Sequence, residues 1–290
     1  MDIIVESPDK IISRPGGAML NVAVSLARTK TDVSLISELG DDQTSAFIID
    51  FLKKNKVKTR YIKKYYHSNT SLALAYLDEE KKPNYTFYKS YPENRNLIYP
   101  TNFSENDILL FGSLYSLDTA LRNQLQEVLI AAKRGGAFLC YDPNIRHSHH
   151  FENEATKANL MENLALADLI KGSDEDFENI FGKLSFEQIL IEVRKVNPTA
   201  PLLITRGAAG VVAFSKDFKL ELPAIPIQPL STIGAGDAFN AGLAFAMQKE
   251  NLHKAQQNEF SKSQMELLLK SGLSFSASVC QSADNYIDPI

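Results

Sequence analysis

Short apolar runs of strand length, separated by segments of helical periodicity, constrain this chain more than any other feature. DVSLISELG (32–40), NDILLFGS (106–113), AFLCYDPN (137–144), ADLIKGS (167–173) and PLLITRG (201–207) read as strands. Between them lie helical patterns such as LDTALRNQLQEVLIAAKRGG (117–136), where Ser116 is the expected N-cap and Gly135 the residue past the C-terminus. Repeated strand-helix-strand units of this kind imply an α/β fold, a mostly parallel sheet with helices on both faces. A chain of 290 residues suffices for one large domain of that type with an insertion. Ligands in such folds bind beyond the carboxyl ends of the strands, so the strand-to-helix turns are where a site belongs.

Two stretches break the rhythm. TSLALAYLDEEKKPNYTFYKS (70–90) is two strand-like runs around a charged turn, with an alternating second run, and DIIVESPDKIISRP (2–15) has the same form. As two hairpins they either pair into a small sheet over the mouth of the main domain, a lid, or decorate its surface. The balance of 44% hydrophobic and 23% charged residues with net charge −4 disfavours a nucleic-acid partner. No apolar run approaches the roughly 20 residues of a membrane span. MDIIVESPDK has neither a basic start nor a long apolar core, so a cytoplasmic location is expected. Cys140 and Cys280, far apart in apolar surroundings, suit buried free thiols.

The densest chemistry lies in LSTIGAGDAFNAGLAFAM (230–247), a small-residue loop running into an apolar helical pattern with one carboxylate, Asp237, in its first turn. Free N–H groups and the positive dipole end make that turn an anion site, usually for a phosphate, and a carboxylate beside it suggests chemistry on the group that receives or releases that phosphate. In RPGGAMLNVAVSLAR (14–28), Gly16 and Gly17 open a helix and Asn21 follows one turn in, which suits either vicinal hydroxyls of a ligand or a tight turn with a buried cap. In TRGAAG (205–210), Thr205, Gly207 and Gly210 either line a phosphate path or form an ordinary connection between strands. KGSDEDFENIFG (171–182) opens a helix at Ser173, where Asp174, Glu175 and Asp176 either serve capping or place one acid near a hydrated Mg²⁺. Gly234-Ala235-Gly236 lacks the third glycine of a dinucleotide fingerprint, and no G-x-x-x-x-G-K-[ST] occurs. HSHH (147–150) has no acidic or cysteine partner spaced around it and reads as a solvated cluster rather than a metal site.

Taken in order, PGGAMLNVAVSLAR, ISELGDD, TSLALAYLD, FGS, YDPNIR, KGSDEDF, TRGAAG and STIGAGDAFNAGL resemble the ribokinase-like (PfkB) carbohydrate kinases, and within them the fructokinase-like group, over nearly the whole chain. The resemblance implies an α/β domain over 16–66 and 96–290 and a β-lid over 2–15 and 67–95. It implies ATP as donor, Mg²⁺, a sugar hydroxyl as acceptor, and a homodimer through the lid. Fructose is the leading acceptor; a 2-keto-3-deoxy sugar acid and a nucleoside are alternatives, and a sugar-binding regulator without turnover is the non-enzymatic one. By position, the resemblance makes Asp237 the base and Gly234, Ala235 and Gly236 the anion hole, with the amides of Ala235, Gly236 and Asp237 facing phosphate. Asp2, Gly16, Gly17 and Asn21 would hold sugar hydroxyls, and Asn144 and Arg146 would border substrate and transferring phosphate. Ser173, Thr205, Gly207 and Gly210 would line the nucleotide side, with Asp176 as the magnesium-linked acid, and the aromatics Tyr76, Tyr85 and Phe87 either cover the sugar or pack the lid.

Three departures stand out. Ser231-Thr232-Ile233 replaces an Asp-Thr-Thr and bears on a monovalent-cation site, Ser173-x-x-Asp176 replaces an Asn-x-x-Glu, and Ser45 stands where the family often has glycine. In the family a buried parallel strand precedes the acid matched by Asp2. The native polypeptide is therefore expected to begin roughly ten residues upstream of Met1, about a strand and its connection, and the structure to show either a gap in the sheet or another segment filling the slot.

Overall fold

The structure is a computed structural model that describes residues 1–7, 9–77, 83–145, 154–254 and 259–290. In chain order the elements are β1 (Asp2–Ser7), β2 (Lys10–Arg14), α1 (Ala18–Arg28), β3 (Ser37–Gly40), α2 (Gln43–Lys54), β4 (Ile62–Tyr65), β5 (Leu72–Leu77), β6 (Pro83–Tyr88) and β7 (Ile108–Gly112). They continue with α3 (Arg122–Gly135), β8 (Phe138–Asp142), α4 (Glu154–Leu166), β9 (Leu169–Ser173), α5 (Asp174–Phe181), α6 (Phe186–Arg194), β10 (Leu202–Thr205), β11 (Val211–Phe214), β12 (Lys219–Leu222), α7 (Ala235–Lys249) and α8 (Lys262–Cys280).

A six-stranded sheet in the order β12-β11-β10-β9-β8-β7 forms the centre, with β7 to β10 parallel and β11 and β12 antiparallel. Alternation along each strand sends side chains to opposite helical layers. Leu139, Tyr141, Ile170, Leu202 and Ile204 pack against α3 to α6 through Leu129, Leu164, Phe177 and Val193. Phe138, Cys140, Leu169 and Leu203 pack against α7 and α8 through Phe239, Leu243, Met265 and Leu268. Both faces are therefore dry, which is why these strands read as continuous apolar runs. Cys140 and Cys280 are buried free thiols. Among the described residues no helix is long and apolar enough to cross a membrane.

The two hairpins join into one four-stranded sheet, β2-β1-β5-β6, through parallel pairing of β1 with β5. Parity divides this sheet into two faces. Asp2, Ile4, Ala73 and Ala75 are buried, whereas Ile11, Tyr76 and Tyr88 on the other face are 60%, 49% and 57% exposed.

Three expectations need correction. The run 32–40 forms a strand only at Ser37–Gly40, and β3 pairs with β4 in a separate two-stranded sheet instead of entering the central one. The helix expected from 117 starts at Arg122, because Leu114–Leu117 and Thr119–Leu121 are wound as 3₁₀ turns. Ser116 is inside the first of these, donating to the Ser113 carbonyl, and Gly136, not Gly135, is the left-handed residue that ends α3. The tight 3₁₀ winding follows from Ser113, whose positive φ of 55° turns the chain sharply off β7.

Among the described residues no strand pairs with the outer edge of β7. A cavity of about 330 Å³ separates that edge from the 31–36 segment, lined by Val33, Leu35, Ile108, Leu110, Leu125 and Val128 among others.

Candidate active site

The site grows from two helix N-termini that face each other. α1 begins at Gly17, whose φ of 120° is open to glycine and strained for other residues. A Cβ at the preceding Gly16 would collide with the carboxylate of Asp2, so glycine there is what lets β1 deliver an acid to the helix start. One turn into α1, buried Asn21 donates from Nδ2 to Asp237 Oδ2 at 2.9 Å. Its Oδ1 is buried with no partner among the described residues.

α7 begins at Gly234, in the left-handed region at φ 84° and pressed against the Asn285 carbonyl. The Ala235 amide donates to the Thr232 carbonyl at 3.2 Å, closing the loop, and Ala238 makes the first helical bond to Gly234. The Ala235 amide is thus committed to its own turn. Among the described residues the Gly236 amide has no backbone acceptor, so an anion at this turn is met from Gly236 onward.

The carboxyl ends of four neighbouring strands form a row below α7. Gly112 is in register with Asp142, and Ser173 with Thr205. Ser173 caps α5 reciprocally with Asp176, which accepts from the Ser173 amide at 2.6 Å and hydroxyl at 2.7 Å and from the Ile145 amide at 2.6 Å. Burial, and then the charge of Asp142, push the Asp176 carboxyl up to about 6. Gly207 and Gly210, both at positive φ, form the turn after β10, and Gly210 is packed against the Leu222 carbonyl.

A cavity of about 330 Å³ joins Asp2, Gly16, Gly17, Asn21, Asn144, Gly234 and Asp237. Ser173, Thr205, Gly207, Gly210, Ala235, Gly236 and Asp176 lie outside its lining, on the strand-end side. Asn144 sits at φ 46° and donates to Ser113 Oγ at 3.1 Å, so two left-handed non-glycine residues brace each other at the cavity floor. Arg146 and the 147–150 histidine cluster lie outside the described residues. Tyr85 and Phe87, stacked with centroids 5.8 Å apart, line the cavity. Tyr76 does not, because parity puts it on the opposite face of β5 from Ala73, which does. Ser45 completes a capping box with Asp42 at the start of α2, and the same Asp42 carboxylate accepts from Thr70.

Several residues at the site gave no readable motif. Glu38 accepts from Tyr65, Tyr115 and both Nε and Nη2 of Arg95, and Arg95 also reaches Asp118. Burial and the hydrogen bond to Glu38 push Tyr65 up to about 12. Lys171 and Asp142 form a buried pair at 3.0 Å under α7, and Asn240 donates to the same carboxylate oxygen at 2.6 Å. Lys171 had one available signal: Asp142 and Lys171 are the charged residues in the otherwise apolar strands β7 to β11.

Residues 5–282 match the pfkB family carbohydrate kinases. The chain belongs to that family. It is 32% identical over 250 residues to a fructokinase of Klebsiella pneumoniae, covering 84% of this chain and 80% of the relative. It is 30% identical over 245 residues to a fructokinase of Vibrio alginolyticus, with the same coverage. The fold is shared with a crystal structure of fructokinase from Vibrio cholerae O395 in fructose-, ADP- and calcium-bound form, at TM-score 0.85 and 23% identity over 98% of this chain and 91% of that one. It is also shared with aminoimidazole riboside kinase from Salmonella enterica, at TM-score 0.81 and 20% identity over 99% and 93%. The central sheet with helices on both faces and a small separate sheet is thus the ribokinase-like architecture.

Proposed function

We propose that this carbohydrate kinase transfers the γ-phosphoryl group of ATP to a primary hydroxyl of fructose. The observation that carries the reading is Asp237, fixed by Asn21 in the first turn of α7 and sharing one cavity with Asp2, Gly16 and Asn144. Phosphoryl transfer leaves the protein little covalent work, so positioning and charge neutralisation dominate. Asp237 accepts the proton of the attacking hydroxyl, while the Gly236 and Asp237 amides at a helix N-terminus receive phosphate charge. Asp2, Asn21 and Asn144 hold sugar hydroxyls, and Ser173, Thr205, Gly207 and Gly210 border the nucleotide. The small sheet covers the cavity with Tyr85 and Phe87 and excludes water, which otherwise competes as acceptor.

ATP is read as arriving with Mg²⁺. Among the described residues no three His, Cys, Asp or Glu side chains cluster as a metal site, and both Asp176 oxygens already accept hydrogen bonds. Such a sparse set fits an ion held by phosphates and water, with Asp176 reaching it through water. When bound, the ion neutralises phosphate charge. The apolar outer face of the small sheet, with Ile11, Tyr76 and Tyr88 exposed, supports a homodimer through that sheet.

A coupled ADP-release assay over fructose, other hexoses, a 2-keto-3-deoxy sugar acid and nucleosides, with and without K⁺, tests the reading. Fructose should give the highest kcat/KM. A higher value for the sugar acid or a nucleoside overturns the acceptor, and sugar binding without ADP release identifies a binding protein.

A further inference from the structure

The buried ammonium of Lys171 belongs to none of the roles above. Its side chain is 5% exposed and its Nζ lies 3.0 Å from Asp142 Oδ2. From β9 it points into the layer of α7, and a Cβ built on Gly236 would meet one atom, Lys171 Nζ, at 3.3 Å. The bare face of the anion-receiving turn therefore rests directly on a cation. We propose that Lys171 is a positioning residue for phosphoryl transfer, a fixed positive charge under the Gly236 turn that seats the phosphate at the N-terminus of α7. The inference rests on the kinase reading above.

Two observations and one general property of buried ion pairs separate this from a simple counter-ion role. Asp142 Oδ2 accepts from both Lys171 at 3.0 Å and Asn240 at 2.6 Å, while its Oδ1 is buried with no partner among the described residues, so the lysine meets only one of the two carboxylate oxygens. Apolar replacements of a buried ion pair are often as stable or more so, which makes stability a weak reason for its presence. Burial opposes the charged form of Lys171, yet Asp142 and then Asp176, with a further contribution from Asp237, hold its pKa above the ordinary lysine value. The ammonium thus stays charged among carboxylates from β8, α5 and α7, where an arriving phosphate meets a site that those acids alone would repel.

A double-mutant cycle of Lys171→Met and Asp142→Asn separates the two roles, with kcat, KM and calorimetric affinity for a non-hydrolysable ATP analogue as readouts. In the Asp142→Asn background Asp176 and Asp237 still face the ammonium, the added Lys171→Met leaves no Asp142 carboxylate unpaired, and Tm verifies that both proteins are folded. There, adding Lys171→Met should still lower kcat by about tenfold or more and weaken the ATP analogue, with the fructose KM within about threefold. If Lys171→Met changes neither kcat nor analogue affinity in that background, Lys171 only balances Asp142 and the proposal is wrong. A wild-type protein inactive on every acceptor would defeat the kinase reading alone, because the analogue-binding cycle still reports on Lys171.

Discussion

The carboxamide of Asn21 is half used: Nδ2 donates to Asp237, and Oδ1 is buried without a partner among the described residues. An unpaired buried acceptor costs about 1–3 kcal/mol, which a ligand hydroxyl can return. Asn21→Ala should therefore raise the fructose KM and lower kcat together, costing about 1–3 kcal/mol in kcat/KM, while Tm changes little. Steady-state kinetics that leave kcat/KM within twofold would make Asn21 a packing residue. Asp176 gives a pH signature. Its folded carboxyl, pushed up to about 6, binds a proton more tightly than an unfolded aspartate with pKa near 3.9. The folded chain therefore holds that proton across roughly pH 4–6, and the stability contributed by this group is full at the acid end and lost as pH rises through about 6. Denaturant titrations of wild type and Asp176→Asn should show this slope only in the wild type; parallel curves would contradict it.

The buried Glu38–Arg95 pair binds the segment after β6 to β3, and the Glu38 carboxylate is saturated by two tyrosines and one bidentate arginine. Removing one partner strands a charge with an effective cost of about 3–5 kcal/mol. Arg95→Met should lower unfolding free energy by about that much, and a change under about 1 kcal/mol in urea unfolding would show the cluster to be dispensable. This cluster also marks where reading the chain stopped. β7 to β10 were legible because burial on both faces leaves continuous apolar runs, and the α7 turn was legible because anion binding at a helix start needs small residues in sequence. Glu38, Arg95 and Tyr115 come from three distant segments, so no local spacing records their meeting. Ser116 misled for the opposite reason: its local capping signal was overruled by the left-handed turn at Ser113. Asp176, open between capping and metal, caps α5 through Oδ2 and accepts from the Ile145 amide through Oδ1, and its link to a metal belongs to the proposal above.

At the scale of the molecule the edge of β7, unpaired among the described residues, is the main departure from a closed α/β layer. Apolar side chains from both banks line the groove beside it, and Met1 lies in the neighbouring cavity, which shares Leu35, Ile36 and Gly112 with the groove. Burial pushes the Met1 amino group below its ordinary pKa, and it donates to the Ser71 carbonyl at 3.3 Å. A strand set parallel to β7 in this groove would pair the open edge and fill apolar volume. Extending the chain before Met1 by about six to eight β-branched apolar residues should raise Tm by several degrees, whereas the same extension with lysines at alternate positions should not. Equal melting of both extended proteins in calorimetry would show that the groove does not accept a strand.

The central claim is that Asp237 accepts a proton from the sugar hydroxyl while the first turn of α7 receives the phosphate, and fructose-dependent ADP release by Asp237→Asn tests it most directly. Asparagine keeps the shape and removes the basic oxygen, so kcat should fall by roughly 10² or more, the scale of a lost general base, with ATP affinity and Tm close to wild type. Turnover near the wild-type rate in a correctly folded Asp237→Asn protein would contradict the account.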